Sequence, residues 1–553
     1  MSKMKTLAAI ITVISFSCLI SSDEEMMFTH AELAGAEKII GLNFNDQERD
    51  SLIEDLKDNL KDFEKIRTYP LPNNLPPALY FNPIPLGFQM PDQPSALNMS
   101  PATAGEVPEN IESLAFWSVR NLAELIRTRK ISSEQLTRMY IDRLKRYDPQ
   151  LHCVITVTED LALKQARRAD AEITAGNYRG PLHGIPYGAK DLLAVKGYKT
   201  TWGATPYQDQ LIDQNASVIR RLEAAGAVLI AKLTLGALAW GDVWYGDTTR
   251  NPWNLEQGSS GSSAGSASAT AAGLVAFAIG TETWGSIVSP SNRCGTTGLR
   301  PTFGRVSRSG AMALSWSMDK IGPICRTVED CALVFNAIFG PDGEDQTVVD
   351  APFIYEPEID LKSLRIGYLK SAFESNHAEK ENDSTTLAVL NGMGVNLVPF
   401  ELPDLPVYSI SFILNAEAAA AFDELTRSDR DDLMVRQIRN AWPNVFRASR
   451  FIPAVEYIQA NRMRYQLIQQ MHDSLQAIDL YVSPSFGGSN LLLTNLTGHP
   501  CVVLPNGFNE KGSPTSITFM GHLFDEGRLL TFARAYQEAT GFHLKHPDAF
   551  VVR

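Results

Sequence analysis

Cysteine is scarce in this chain of 553 residues, which has six, and no two of them stand at the C-x-x-C spacing of a zinc site. Scattered cysteines in a large chain are more often buried small apolar residues than ligands or nucleophiles. The sequence therefore predicts no metal site. Cys325 and Cys331 could pair as a disulfide in an exported protein, and the sequence leaves that pairing open.

Positive charge is also in short supply. Lys and Arg number 50 against 63 Asp and Glu, so the net charge is -13. Nucleic-acid binding needs clustered Lys and Arg, so the balance argues against a nucleic-acid partner. We interpret the acidic excess as a means of keeping the protein soluble.

Long apolar runs are absent except at the N-terminus. The basic head "MSKMK" precedes the run "TLAAIITVISFSCLI", which is short for a bilayer span of about 20 residues. Residues 1–22 are therefore predicted to be an export signal, with a buried N-terminal helix as the alternative. Cys18 resembles the lipidated cysteine of bacterial lipoprotein signals, although Ser15 stands where a leucine is usual. The sequence predicts a periplasmic, outer-membrane-anchored or secreted protein, with Cys18 as its one membrane attachment.

Residues 23–110 are predicted to form a helical N-terminal extension and a Pro-rich arm. The segment "NDQERDSLIEDLKDNLKDFEKIR" carries apolar residues at helical spacing with charges between them. The following "TYPLPNNLPPALYFNPIPLGFQMPDQP" is too rich in proline to continue a helix, so it is expected to run as an extended arm.

The main body is predicted to cover residues 111–553 as an α/β domain. Ser132 and Gln135 form a capping box that opens a helix. The helical "ASVIRRLEAAG" stops at Gly226 and leads straight into the buried-strand run "AVLIAKL". The same alternation returns around "SLRIGYL" and "GVNLVPF". It predicts a sheet covered on both faces by helices.

Reactive side chains coincide with permissive backbone in three stretches. These are "GIPYGAKDLLAVKG" with Lys190, the Gly/Ser loop "GSSGSSAGSASATAAGLVAFAIG", and "GTETWGSI" with Ser286. A serine is inert at neutral pH unless a neighbour takes its proton. Lysine can do so only as a neutral amine, which requires burial. Lys190, at the end of an apolar run, fits that role, with a second serine as a proton relay.

"GSSAG" also satisfies the G-x-S-x-G nucleophile-elbow pattern, centred on Ser263. That elbow follows a hydrophobic strand and needs a histidine base. His499 and His522 are available as bases, but the preceding "NPWNLEQGSS" has the composition of a loop. The missing strand argues against the elbow.

Over nearly fifty residues, "GSSAGSASATAAGLVAFAIGTETWGSIVSPSNRCGTTGLRPTFGRVS" resembles the signature of the amidase signature hydrolases. "HGIPYGAKD", "MDKIGPICRTVEDCA" and "NLTGHPCVVLPNGF" fit the same family. The pattern is most similar to stand-alone peptide amidase-like and aryl acylamidase-like members. The resemblance covers the chain from about Ile111 onward. It implies the amidase signature fold, whose core is a large twisted mixed β-sheet.

The resemblance assigns the catalytic roles to Lys190 as base, Ser262 as relay on a cis peptide bond, and Ser286 as nucleophile. Ser263 and Glu282 fall on supporting positions. The oxyanion hole would be formed by backbone N–H groups of Thr283, Trp284 and Gly285.

Three positions depart from the common family pattern. Glu282 stands in place of a common aspartate, Val288 in place of an arginine, and Trp284 in place of a glycine. Trp284 either packs in the core or lines the substrate entrance, and both readings stay open. Leu238, Trp240 and Trp244 either form an apolar substrate pocket or belong to the core.

The family implies hydrolysis of linear amide C–N bonds, non-peptide or at a peptide C-terminus, through a covalent acyl-enzyme. The expected partner is a small-molecule amide, no cofactor is expected, and the oligomeric state is not specified. Alternatives are the A subunit of a tRNA-dependent amidotransferase, an amidase-fold esterase or carbamate hydrolase, and a non-catalytic binding protein. The export signal and the acidic balance argue against the amidotransferase.

Overall fold

The structure, a computed structural model, describes residues 28–102 and 105–551. The predicted export signal and Cys18 lie outside the described residues. Within those two ranges, no helix has both the length and the apolar character needed to cross a membrane. The chain divides into two compact units, of which the first ends at Leu71 and the second begins at Pro72.

The described part of the first unit contains two helices, α1 (His30–Ile40) and α2 (Asp46–Ile66). Asn45 caps α2, because its side chain accepts the N–H of Glu48 at 3.0 Å and the Glu48 carboxylate accepts the N–H of Asn45 at 2.7 Å. Such a capping box satisfies two N–H groups that have no partner inside the helix. The amphipathic helix predicted for this segment is confirmed.

The second unit combines α-helices with one large sheet. Its helices are α3 (Val119–Arg127), α4 (Ser133–Leu151), α5 (Glu159–Thr174), α6 (Ser217–Ala224), α7 (Ala264–Ala271), α8 (Val288–Cys294), α9 (Val328–Ile338), α10 (Lys370–Glu374), α11 (Lys380–Gly392), α12 (Phe412–Ala421), α13 (Asp423–Arg427), α14 (Trp442–Ser449), α15 (Ala454–Leu475), α16 (Asn490–Thr497) and α17 (Glu526–Thr540). From residue 72 to residue 95 the chain forms neither helix nor strand, which agrees with the expected extended arm.

The strands are β1 (Ala96–Leu97), β2 (Val154–Val157), β3 (Pro186–Lys190), β4 (Val228–Leu233), β5 (Arg250–Asn251), β6 (Asn254–Gly258), β7 (Phe277–Glu282), β8 (Thr297–Arg300), β9 (Lys320–Cys325), β10 (Ile354–Tyr355), β11 (Arg365–Leu369), β12 (Asn396–Phe400), β13 (Leu480–Pro484), β14 (Cys501–Phe508) and β15 (Pro514–Gly521). Eleven of them form one sheet in the order β12-β11-β13-β15-β14-β8-β9-β7-β3-β4-β2. Parallel and antiparallel pairs both occur, so the predicted mixed sheet of an α/β domain is confirmed.

The central strands are buried on both faces. Every residue of β4, β7 and β9 is buried. A strand that exposes neither side needs packed layers above and below it. This burial confirms the predicted coverage of the sheet by helices.

The predicted step from helix to strand at Gly226 is also observed. α6 ends at Ala224, Gly226 has a φ of +85°, and β4 begins at Val228. A Cβ at residue 226 would lie 2.3 Å from the ring of His183, so both conformation and space demand glycine there. The Ser132–Gln135 capping box at the start of α4 is present as predicted.

The five described cysteines are buried free thiols. Cys325 and Cys331, left open as a disulfide by the sequence, are therefore not bonded to each other.

Arg143 ties α4 to distant parts of the second unit. Its guanidinium is fully buried and donates to the carbonyl oxygens of Gly273 at 2.8 Å, Ala272 at 3.0 Å and Phe550 at 2.8 Å. These carbonyl groups lie at a helix end and in the C-terminal segment, where no ladder supplies a donor. One side chain thus joins three parts of the chain.

Replacing Arg143 with Met should lower the free energy of unfolding by about 3 kcal/mol or more, because buried carbonyl groups would lose their donors. A shift in the urea midpoint, followed by circular dichroism, measures the effect. Arg138→Met is the matched control on the same helix, because Arg138 forms an exposed pair with Glu134 and should change stability by less than about 0.5 kcal/mol. Equal shifts in the two variants would contradict this account.

Candidate active site

Two neighbouring parallel strands bring the predicted site residues to one edge of the sheet. β3 ends at Lys190, and β7 ends at Glu282, four residues before Ser286. The pairing of Tyr187 with Phe277 and of Ala189 with Ile279 sets the register. The carboxyl ends of adjacent parallel strands meet at the same edge, where open α/β sheets bind their ligands.

The amine of Lys190 is fully buried among hydroxyl groups. Its Nζ donates to the Oγ of Ser262 at 2.8 Å, the Oγ1 of Thr281 at 2.8 Å and the Oγ of Ser263 at 3.1 Å. Burial lowers the pKa of Lys190 to about 7, although the charges of Asp319 and Glu282 oppose the shift. A neutral amine is therefore accessible near neutral pH.

The Gly/Ser loop contacts this amine through the hydroxyl groups of Ser262 and Ser263. The peptide bond between Gly261 and Ser262 is cis, as the family resemblance implies. The N–H of Ser263 donates to the backbone oxygen of Ser286 at 3.1 Å, which joins this loop to the segment that carries the proposed nucleophile. The structure thus brings Lys190, Ser262, Ser263 and Ser286 into one cluster.

The segment 283–286 carries the expected oxyanion-hole residues. Gly285 has a φ of +88°, a conformation that favours glycine, whereas Trp284 does not adopt a positive φ. Ser286 is only 9% exposed. The indole of Trp284 is 38% exposed and lies 6.4 Å from the ring of Tyr408, so it is not packed in the core.

Glu282 organises the backbone that follows the nucleophile. Its Oε2 accepts the N–H groups of Ile287 at 2.8 Å and Val288 at 2.9 Å, and its Oε1 accepts from Arg300 at 2.8 Å and from Asn495 at 2.8 Å. Burial raises the pKa of Glu282, but the charge of Arg300 and these hydrogen bonds bring it below its ordinary value. The carboxylate therefore stays ionised and holds the loop in place.

Asp319 supports the same loop from the other side, and the sequence alone gave it no role. The Oγ1 of Thr283 donates to its Oδ1 at 2.5 Å, while its Oδ2 accepts the N–H groups of Leu314 at 2.8 Å and Ser315 at 3.0 Å. Its position in the "MDKIGP" motif was the one available signal. Thr281, a direct partner of the amine, was likewise missed.

The predicted pocket residues do not line the cavity beside Thr281 and Thr283, although Ala239, between Leu238 and Trp240, does. Leu238 is fully buried, Trp240 packs edge-on against Trp442 at 4.8 Å, and Trp244 packs against Tyr245 at 4.9 Å. These contacts are those of packed residues, and the pocket role stays a prediction.

A cavity of about 180 Å³ adjoins the cluster on the side of Thr281 and Thr283. Asn74 and Tyr80 of the Pro-rich arm also line it. The arm is held there by Asn73, whose side-chain amide accepts the N–H of Ala313 at 2.7 Å and donates to its carbonyl at 2.8 Å. Cavities of about 150 Å³ hold a benzene molecule, so a ring-sized group fits.

The fold and the site define an enzyme of the amidase class that acts on carbon–nitrogen bonds. The family model described as Amidase matches residues 135–490, which is more than half of the chain. This protein belongs to the amidase signature family, as its sequence motifs predict.

Among its relatives, the A subunit of the glutamyl-tRNA(Gln) amidotransferase of Acinetobacter baumannii is 33% identical over 484 residues, covering 77% of this chain and 97% of that protein. The protein of the same name from a Roseiflexus species is 34% identical over 468 residues, covering 76% and 95%.

Among solved structures, the native peptide amidase of Stenotrophomonas maltophilia is similar with a TM-score of 0.70 and 29% identity, covering 78% of this chain and 98% of that one. A bacterial aryl acylamidase has a TM-score of 0.71 at 22% identity, covering 79% and 99%, and shares the fold.

Replacing Trp284 with Gly should change substrate preference more than stability. The indole is partly exposed, so the free energy of unfolding should change by less than about 1 kcal/mol. The ratio of kcat/KM between aryl and short aliphatic amides should shift by about tenfold or more, because the side chain lies two residues from Ser286. Leu211→Gly, at a position 67% exposed, serves as the control and should leave the ratio unchanged. A shift in stability without a shift in the ratio would contradict the prediction.

Proposed function

We propose that the chain hydrolyses carboxylic amides, with Ser286 as nucleophile, Ser262 as proton relay and Lys190 as base. One observation carries the proposal: a fully buried amine with a pKa of about 7 lies 2.8 Å from the hydroxyl of Ser262. An activated serine nucleophile needs a base that is neutral at the working pH. The products are an acid and an amine or ammonia.

In the first step, neutral Lys190 accepts the proton of Ser262 as Ser262 accepts the proton of Ser286. The Oγ of Ser286 forms a bond to the amide carbon, and the carbonyl electron pair moves to oxygen. Backbone N–H groups of the 283–286 segment bind this oxyanion, and losing one such donor typically costs about 3 kcal/mol in the transition state. The relay then returns the proton to nitrogen, and the C–N bond breaks.

In the second step, the same relay takes a proton from water, whose oxygen attacks the acyl-enzyme. The bond between carbon and Ser286 breaks, the serine recovers its proton, and the acid leaves. Every proton and electron pair comes from the chain, the substrate or water.

The proposed substrates are linear amides, either non-peptide or at a peptide C-terminus. The structural similarity to a peptide amidase and the ring-sized cavity beside Thr281 and Thr283 support this class. An ester or carbamate presents the same carbonyl carbon to Ser286, so both belong in a substrate panel.

The second candidate is the A subunit of a glutamyl-tRNA(Gln) amidotransferase. The identities of 33% and 34% to proteins of that name favour this candidate over a stand-alone amidase. The stand-alone amidase and the amidotransferase subunit differ in whether the chain is active without partner subunits. The purified chain should release amine or ammonia from simple amides without other subunits if it is a stand-alone amidase. Co-purification with partner subunits, together with dependence of activity on them, would establish the amidotransferase role instead.

Ser286→Ala should abolish product release over the whole amide panel, because no other group replaces the attacking oxygen. Lys190→Met should lower kcat by about 10²–10⁴-fold, the usual contribution of a general base. Release of the free acid and the free amine is measured by chromatography.

Thr270→Ala is the matched control for the hydroxyl deletion, because Thr270 is fully buried on α7 but does not contact Lys190. Its activity per folded molecule should stay within about threefold of the wild type, since single substitutions away from a site mainly affect stability. Activity retained by Ser286→Ala would rule out the proposed nucleophile.

The dependence of kcat/KM on pH should show an acid limb with a midpoint near the Lys190 pKa of about 7. Below that pH the amine is protonated and cannot accept a proton, so activity falls, and above it activity reaches a plateau. The profile is measured in buffers of constant ionic strength. A rate that stays constant through that pH range would contradict the role of Lys190 as base.

A further inference from the structure

Residues 433–465 form a strongly basic segment in an acidic chain. The segment contains six arginines and one acidic residue, Glu456, whereas the whole chain has a net charge of -13. It comprises the loop before α14, α14 itself and the first half of α15. We refer to its exposed face as the basic apolar surface.

Large apolar side chains on this surface are unusually exposed. In the loop, Leu433, Val435 and Ile438 are 56%, 48% and 50% exposed. After α14, Phe451 is 62% exposed, and Val455, Ile458 and Tyr465 are 63%, 58% and 50% exposed. Soluble proteins rarely concentrate such residues unless something binds there.

The exposed residues of α15 follow one face of the helix. Val455, Ile458, Arg462 and Tyr465 are separated by three, four and three positions, which places them in a single stripe. On the other side of the helix, Leu467 and Ile468 are buried. The stripe is therefore the solvent-facing side of a helix whose other side packs against the protein core.

Three arginines of the surface lack an acidic partner within the described residues. Arg436 and Arg439 make no ion pair there, and Arg462 donates only to the side-chain amide of Gln459, at 2.9 Å. By contrast, Arg447 pairs with the carboxylates of Asp431 and Asp432. Arg462 therefore adds positive charge to the apolar stripe of α15, and Arg436 and Arg439 add it to the loop that carries Leu433, Val435 and Ile438.

We propose that the basic apolar surface docks on a membrane surface rich in anionic lipid. Apolar side chains of such a face enter the boundary between headgroups and acyl chains, while the guanidinium groups contact lipid phosphates. The acidic remainder of the protein does not prevent this contact, because charges more than about 10 Å apart are largely screened at physiological salt.

Neither RNA nor a second copy of the chain matches the surface as well. RNA would use the arginines and could stack on Phe451 and Tyr465, but the other five exposed apolar side chains, which are leucine, valine and isoleucine, have no rings on which bases stack. A second copy would set the unpaired arginines of one surface against those of its partner, because a two-fold interface is self-complementary. Anionic lipid complements both the charge and the apolar stripe.

The surface also adjoins the Gly/Ser loop. A Cβ at Gly241 would lie 3.6 Å from the guanidinium of Arg436, and a Cβ at Gly261 would lie 1.8 Å from the carbonyl oxygen of Gly241. Docking therefore brings the loop that carries Ser262 close to the lipid. The docking itself does not depend on the proposed amide hydrolysis.

Co-sedimentation with vesicles tests the proposal. The full chain is used with Cys18→Ser as background, so that lipidation cannot anchor it. Phosphatidylcholine vesicles containing phosphatidylglycerol should bind the protein, in a salt-dependent way, and pure phosphatidylcholine vesicles should bind it at least about tenfold less. Equal binding to both vesicles, or to neither, would overturn the proposal.

Two double variants locate the binding. The double variant Val455→Ser and Ile458→Ser should weaken vesicle binding by about tenfold or more, because the surface loses apolar area. The double variant Arg436→Gln and Arg439→Gln should weaken it by about tenfold, because the surface loses positive charge. Leu544→Ser and Arg365→Gln, both exposed elsewhere, are the matched controls and should bind as the wild type does.

The remaining outcomes count against the proposal. Equal loss in the control variants would show that the surface is not the binding site. Sedimentation velocity measures whether the protein is a dimer. If the wild type is a dimer, the Val455→Ser and Ile458→Ser variant is a monomer and neither binds vesicles, the surface is an interface between two copies of the chain. Binding to single-stranded RNA that displaces the vesicles and is lost in the arginine variants would make RNA the partner.

Discussion

The burial of one amine governs the arrangement of the site. Lys190 lies at the end of a strand with no exposed residue, and its hydrogen-bond partners are hydroxyl groups of Ser262, Ser263 and Thr281. These hydroxyl groups accept hydrogen bonds from the amine but carry no negative charge that would stabilise its protonated form. Burial therefore lowers the pKa of Lys190 to about 7. The surrounding loops must therefore present hydroxyl groups at fixed positions.

Two carboxylates, the buried Glu282 and the partly buried Asp319, hold the neighbouring 283–288 segment without contacting the amine. Glu282 is held by Arg300 and Asn495 and accepts backbone N–H groups just after Ser286. Asp319 accepts the hydroxyl of Thr283 and two N–H groups of the 314–315 backbone. A buried carboxylate is tolerated when its oxygens are fully hydrogen-bonded, and such a network limits the conformations of the loop that it joins. The proposed oxyanion segment is thus pre-organised from both sides.

Residues outside the range that the family model matches also adjoin the site. The arm residues Asn74 and Tyr80 line the cavity beside Thr281 and lie outside residues 135–490, which the family model matches. Trp284 is exposed on the segment next to Ser286, where its indole meets Tyr408. Family membership therefore supports action on C–N bonds, while the arm and the indole are the places where we expect substrate preference to be set.

The sequence by itself determined the local elements and the motif positions. Apolar periodicity and capping residues act within a few positions, so α2, α4 and the step from α6 to β4 were predictable. The resemblance to the family's motifs likewise singled out Lys190, Ser262 and Ser286 as the predicted catalytic residues. Only the tertiary structure decided the partners of Glu282 and Asp319 and the exposure of Trp284. Glu282 and Asn495 are 213 positions apart, and no local pattern encodes a contact that depends on how the sheet is assembled.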